Sequence, residues 1–251
     1  MRPESEEMTK MQGESLVENI FIDSPNGLLA AALHLPPSTP APVIICCHGL
    51  LSSKNGSKFV ALGEAFSSAG WAVLRFDFAG CGDSLAVPLR QLVPSRLADL
   101  QAVIGFTLNA SWSKGPLGLM GSSMGGYISL LTAADLPEVI KGVVCWATPY
   151  DLTEIHPDET RLDHLVKFFP RGFELGEPST LKDLSAVSGA FILHGQMDEI
   201  VPWQHAFQIF ERLKEPRRNC LMSTAEHRFL DPQWRGLAMR MSRSWFESLG
   251  F

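Results

Sequence analysis

Apolar residues are distributed along this chain in two different ways. Near the N-terminus, Leu16 to Asp23 and Leu28 to Leu35 read as strands joined by Ser24-Pro25-Asn26-Gly27, a strong hairpin turn. From Pro42 onward short continuous apolar runs take over: VIICC, WAVLRF, LGLM, VVCW and FILH, each followed by a loop and most by a helix-length segment. Continuous runs are what strands covered on both faces require. The pattern therefore predicts an α/β chain with a mostly parallel, doubly wound sheet and an N-terminal antiparallel hairpin. Helices are predicted over Phe59 to Ser68, Ser95 to Asn109, Met124 to Asp135, Trp203 to Leu213 and Gln233 to Leu249. In the second of these, Leu97, Leu100, Ile104 and Leu108 recur at helical spacing and read as a core-facing stripe without a functional role. Residues 148–190 are far longer than an ordinary connection and read as a small cap insertion. Met1 to Ser15 is polar and reads as a frayed end.

Length and composition narrow this picture. A chain of 251 residues, 45% hydrophobic, buries a full-sized core and suits one domain spanning 1–251. The net charge of -6 is built from both signs, with no dense Lys/Arg cluster, which argues against a nucleic-acid partner. The N-terminal residues lack the apolar stretch of a signal peptide, and no run is long enough to cross a bilayer, so a soluble, cytoplasmic protein without a membrane partner is expected. Five cysteines at 46, 47, 81, 145 and 220 show no C-x-x-C spacing and read as free thiols, mostly buried.

In a parallel sheet the chemistry gathers just beyond the carboxyl ends of the strands. After LGLM comes Gly121-Ser122-Ser123-Met124-Gly125, and the G-x-S-x-G spacing fits Ser123 but not Ser122, whose flanks two residues away are Met120 and Met124. Glycines on either side let a serine ride on a sharp strand-to-helix turn; the competing reading is a serine that merely caps the helix. A serine nucleophile needs a base and an acid that orients the base. Asp198 directly follows FILH, with Asp151 one loop earlier as the alternative acid. His227 follows the last apolar run, CLM, and completes the order Ser, Asp, His; His48, after VIICC, reads instead as a buttress of its loop. The backbone N–H groups of Met124, at a helix start, and of Leu50, beyond Gly49, are candidates to hold a developing oxyanion.

The segments CCHGL, RFDFAGCGDS, GSSMGG, LHGQMDEIVP and AEHRF, in this order from Val43 to Phe229, resemble the α/β-hydrolase fold, in its serine-hydrolase branch of cinnamoyl and feruloyl esterases and monoglyceride-lipase-like enzymes. The resemblance implies Ser123 as nucleophile, Asp198 as acid, His227 as base, and Leu50 and Met124 as oxyanion donors. It also implies a structural loop around Asp77, Gly80, Gly82 and Ser84, and no metal or organic cofactor. The expected activity is hydrolysis of small to medium carboxylic esters. A thioesterase, a peptidase with the same machinery, or a non-catalytic binding protein of this fold are the alternatives. Leu165, Phe168, Phe169 and Phe173 read either as an acyl pocket or as the cap's own core.

Overall fold

The computed structural model describes residues 16–86, 89–155 and 174–251. Residues 1–15, and the expectations attached to Leu165, Phe168, Phe169 and Phe173, lie outside the described residues. The described chain runs β1 (Leu16–Ser24), β2 (Gly27–Leu35), β3 (Ala41–Cys47), α1 (Ser57–Ser67), β4 (Ala72–Phe76), α2 (Leu92–Leu108), β5 (Ser113–Ser122), α3 (Met124–Asp135), β6 (Ile140–Trp146), β7 (Ala190–Gly195), α4 (Gln204–Phe210), β8 (Arg217–Met222) and α5 (Pro232–Ser248).

The eight strands form one sheet in the order β1-β2-β4-β3-β5-β6-β7-β8. β1 pairs antiparallel with β2 and β2 antiparallel with β4, while every later pairing is parallel. The hairpin turns on two residues, Ser24 facing Gly27, with Gly27 at φ 130°, a value that favours glycine. Helices α2, α3 and α4 pack on one face, around Leu100, Val103, Tyr127, Ile128 and Ile209. On the other face α1 and α5 pack around Phe59, Phe66, Trp245 and Phe246. The central strands are therefore apolar on both sides, which explains their continuous hydrophobic runs. Asp231 caps α5 by accepting from the N–H groups of Gln233 and Trp234, with Pro232 in the first turn.

The face of α2 differs from its predicted stripe. Leu108 is exposed and Leu97 only partly buried, whereas Arg96, Asp99 and Thr107 join Leu100, Val103 and Ile104 inside. The buried stripe is rotated because two charged residues on it have loops to hold. Asp99 accepts from Ser24 Oγ at 2.5 Å, from Asn26 Nδ2 at 3.0 Å and from the Ala79 N–H at 2.9 Å, tying the hairpin turn to the loop after β4.

Between β6 and β7 the described ends of the long segment lie against the sheet's core. A short 3-10 turn covers Leu152–Glu154, an isolated bridge joins Asp151 to Thr180, and Leu152, Leu181, Leu184 and Val187 are buried.

Candidate active site

The sharpest backbone turn in the sheet's centre carries Ser123. Its φ of 53° and ψ of -124° put a non-glycine residue in a left-handed conformation, a strain of about 1–3 kcal/mol that the surroundings must hold. They do so through hydrogen bonds. The Ser123 N–H donates to the Trp146 carbonyl at 2.8 Å, and the Ser123 carbonyl accepts from Gly126 at 2.9 Å and Tyr127 at 3.1 Å, opening α3. The flanking glycines are required by crowding. A Cβ on Gly125 would strike the Cys47 carbonyl, one on Gly126 would strike Thr148 Oγ1, and one on Gly121 would press on Gly126. The G-x-S-x-G-G run is thus the sequence that lets β5 turn into α3 directly beneath the loop after β3. Ser123 Oγ has no hydrogen-bond partner among the described residues. Ser122 is buried, and its Oγ accepts from Lys58 Nζ at 2.6 Å.

Asp198 and His227 come together from neighbouring strands. β7 pairs with β8 in register Gly195 to Met222, so the loops that follow lie side by side. His227 Nδ1 lies 2.8 Å from Asp198 Oδ2 and 3.0 Å from Oδ1. Asp198 also accepts from the N–H groups of Ile200 at 2.9 Å and Val201 at 2.8 Å, and its Oδ2 is 3.1 Å from His194 Nε2. Burial by itself would raise the Asp198 carboxyl, but the hydrogen bonds from His194, His227 and Val201 outweigh it and hold the group well below the usual carboxylate range. The alternative acid, Asp151, makes its hydrogen bonds elsewhere, to Thr153 and Thr180.

The loop after β3 is braced from below. His48 Nε2 accepts from the Phe78 N–H at 3.1 Å, and Nδ1 donates to the Gly49 carbonyl at 2.7 Å. Burial pushes the His48 imidazole down to about 3, with Arg96 adding to the effect, so it is neutral at pH 7. Arg96 of α2 donates to the Leu50 carbonyl at 3.1 Å and the His48 carbonyl at 3.4 Å, with its guanidinium 4.5 Å from the Phe78 ring centre. Deeper still, Asp77 is fully buried and accepts from the Lys54 N–H, Lys54 Nζ at 2.9 Å and the Asp83 N–H at 2.9 Å. Ser84 Oγ donates to the Asp77 carbonyl at 2.7 Å. The loop read in the sequence as structural is built around these bonds. Its consequence is that the Leu50 N–H, like the Met124 N–H at the start of α3, donates to no described residue.

Leu50, Lys58, Ser122, Ser123, His227 and Leu230 are among the residues lining one cleft of about 540 Å³, a size suited to a small organic ligand. Three residues of this neighbourhood were not legible as functional. His194 sits inside an apolar strand, and its one signal is its place four residues before Asp198. Arg96 is a charge on a buried helical stripe. Lys58 opens a helix whose apolar pattern starts one residue later. Among the described residues no cluster of side chains suits a metal ion, and no helix is long and apolar enough to cross a membrane.

Comparison with known proteins places the chain in a family and identifies its fold. The family model of the alpha/beta hydrolase fold matches residues 42–188. The mitochondrial palmitoyl-protein thioesterase ABHD10 of Mus musculus is 30% identical over 197 residues, 70% of this chain and 65% of that protein. The chain thus spans about 65% of the length of that curated relative. The solved structure of alpha/beta hydrolase domain-containing protein 10 from mouse is 26% identical, with a TM-score of 0.76 over 93% of this chain and 100% of that one. Est1E from Butyrivibrio proteoclasticus, solved with ferulic acid bound, is 18% identical, with a TM-score of 0.71 over 92% of this chain and 98% of that one, a likeness of fold alone.

Proposed function

We propose a function from one premise: this chain belongs to the α/β hydrolase family. The reading is a serine hydrolase that cleaves carboxylic esters of small to medium acyl groups. Ser123 Oγ attacks the ester carbonyl carbon while His227 Nε2 takes the hydroxyl proton. Asp198, hydrogen-bonded at Nδ1, fixes the imidazole tautomer and stabilises the imidazolium that forms. The N–H groups of Leu50 and Met124 receive the oxyanion, with the positive end of the α3 dipole behind the second. The tetrahedral intermediate collapses, the alcohol leaves with the proton from His227, and a water deprotonated by His227 then attacks the acyl enzyme. Its collapse returns the proton to Ser123 and releases the acid. In a structure without substrate the Ser–His contact is often loose, so the missing hydrogen bond to Ser123 Oγ is compatible with this scheme.

The observation that carries the reading is a convergence. A strained serine on a glycine-packed turn, the imidazole of a buried carboxylate–imidazole pair and Leu50 line the same cleft, and the N–H groups of Leu50 and of Met124, next to Ser123, donate to no described residue. The test is turnover of short para-nitrophenyl esters together with labelling by a fluorophosphonate probe. Ser123→Ala should lower kcat/KM by about 10⁵-fold or more and abolish labelling. Wild-type protein that neither turns over these esters nor reacts with the probe would instead favour a non-catalytic binding protein.

A thioesterase is the second reading, and the likeness to the palmitoyl-protein thioesterase ABHD10 favours it. The same residues would act on a thioester carbonyl with a thiol as leaving group. Paired oxygen and sulfur esters of one acyl chain separate the two: a higher kcat/KM on the thioester, lost in Ser123→Ala, would shift the assignment.

A further inference from the structure

Lys58 is a charge that the chemistry above does not use. It opens α1 and lines the cleft together with Ser122 and Ser123. Its Nζ donates to Ser122 Oγ at 2.6 Å, which occupies one of three donors. Among the described residues no carboxylate lies within ion-pairing distance of it. The charges that reach it are Glu226, Arg228 and Asp198, all at longer range, and Arg235 of α5 approaches only its neighbour Ser57. Glu226 is itself committed, accepting from the N–H groups of Arg228 and Leu230. Arg228 lines the same cleft, so the wall beside Ser123 carries two cations against one anion, Glu199.

A half-buried ammonium whose other two donors meet no described residue, in a ligand-sized cleft, is costly unless something anionic arrives to meet it. We propose that Lys58 forms an anion subsite beside Ser123, selecting substrates that carry a carboxylate close to the scissile carbonyl. The ammonium bonds the residue next to Ser123 and lines the same cleft, so the reach to test is a carboxylate about two to four carbons from the scissile carbonyl. The inference rests on the ester-hydrolase reading of the same cleft and names the substrate class for it. Either the acyl part or the alcohol part of the ester supplies the carboxylate.

Two pairs of esters, assayed with the full chain, separate these sources. para-Nitrophenyl hydrogen glutarate against para-nitrophenyl pentanoate places the charge on the acyl side; para-carboxyphenyl butyrate against para-carbamoylphenyl butyrate places it on the alcohol side. The quantity read is the charge preference, kcat/KM for the charged member over the neutral one. Lys58→Gln, which keeps a donor for Ser122 without the charge, should lower the preference by about tenfold to a hundredfold in one pair, and Lys58→Arg should retain most of it. The pair that responds identifies the side. Burial pulls the Lys58 ammonium down to about 8, with Arg228 adding to the effect and Glu226 and Asp198 opposing it. The wild-type preference should therefore fall as pH rises through about 8, and in Lys58→Arg it should persist. A purely packing role for Lys58 would move neither reading. Lys58→Met serves as the second neutral variant if the glutamine form does not fold. A preference unchanged in both pairs, with turnover still dependent on Ser123, overturns the subsite and leaves ester hydrolysis standing. Failure of the wild type to cleave any of the four esters overturns both.

Discussion

Lys54, Asp77 and His48 lie beneath the loop after β3; Lys58, Asp198 and His227 lie around the cleft beside it. The same three residue types occur in both sets, and the two lysines are only four positions apart, yet their partners differ. Asp77 is closed on every side: both of its oxygens are taken by Lys54 and by backbone N–H groups. His48 has both ring nitrogens engaged by the backbone and stands 3.9 Å from Asp77. In the cleft, among the described residues, His227 commits only Nδ1, to Asp198, and Lys58 one donor, to a serine. The saturated set braces the loop that carries Leu50, whereas the unsaturated set keeps hydrogen-bonding capacity that, on the proposed function, meets a substrate. Residue type does not separate structure from chemistry here; unspent hydrogen-bonding capacity does.

The comparison breaks most sharply if the two histidines are exchanged in importance. His227→Ala should lower kcat/KM on para-nitrophenyl esters by about 10⁴-fold, with a loss of stability below about 1 kcal/mol, because Asp198 keeps His194 and the Ile200 and Val201 N–H groups. Urea unfolding beside the kinetics checks both halves. A large loss of stability without loss of turnover would place His227 with the structural set.

Asp77→Ala tests the saturated set. It strands Lys54, a buried lysine whose remaining carboxylate partner, Asp83, is exposed, and should cost about 3–5 kcal/mol of unfolding free energy. A midpoint within error of wild type would show that the loop does not depend on this ion pair.

The smallest effect concerns acid. The Asp198 carboxyl is held below its ordinary range in the folded protein, so its contribution to stability is complete above the usual carboxylate pKa of about 4 and is lost as pH falls through the depressed folded value. Between pH 6 and pH 3 wild-type protein should lose about 1–2 kcal/mol more than Asp198→Asn, read from urea midpoints at each pH. Equal losses would mean that the hydrogen bonds around Asp198 do not favour its charged form.

Much of this molecule was legible in its sequence. Continuous apolar runs marked β3 to β7, because strands covered on both faces leave no room for alternation. The Ser-Pro-Asn-Gly turn marked the hairpin, and glycine spacing singled out Ser123, because close backbone approach leaves only glycine at 121, 125 and 126. The order of the residues after each strand brought Asp198 and His227 forward as partners, and in the fold their side chains meet at 2.8 Å. The buried face of α2 departs from the stripe its apolar spacing predicts. Apolar spacing alone does not mark this face, because it also carries Arg96 and Asp99, whose partners are loops distant in sequence.

Local rules therefore determined where strands and helices run and which serine stands on the turn, since spacing, turn chemistry and backbone crowding act over a few residues. Only the tertiary structure decided which of two lysines four positions apart is closed into a buried ion pair and which opens into a cleft. It likewise decided that His194 supports Asp198 and that Arg96 shapes the loop of Leu50. Those assignments depend on which side chains meet across the packed sheet, and a hydrogen bond between groups distant in sequence leaves no periodic trace in the chain that makes it.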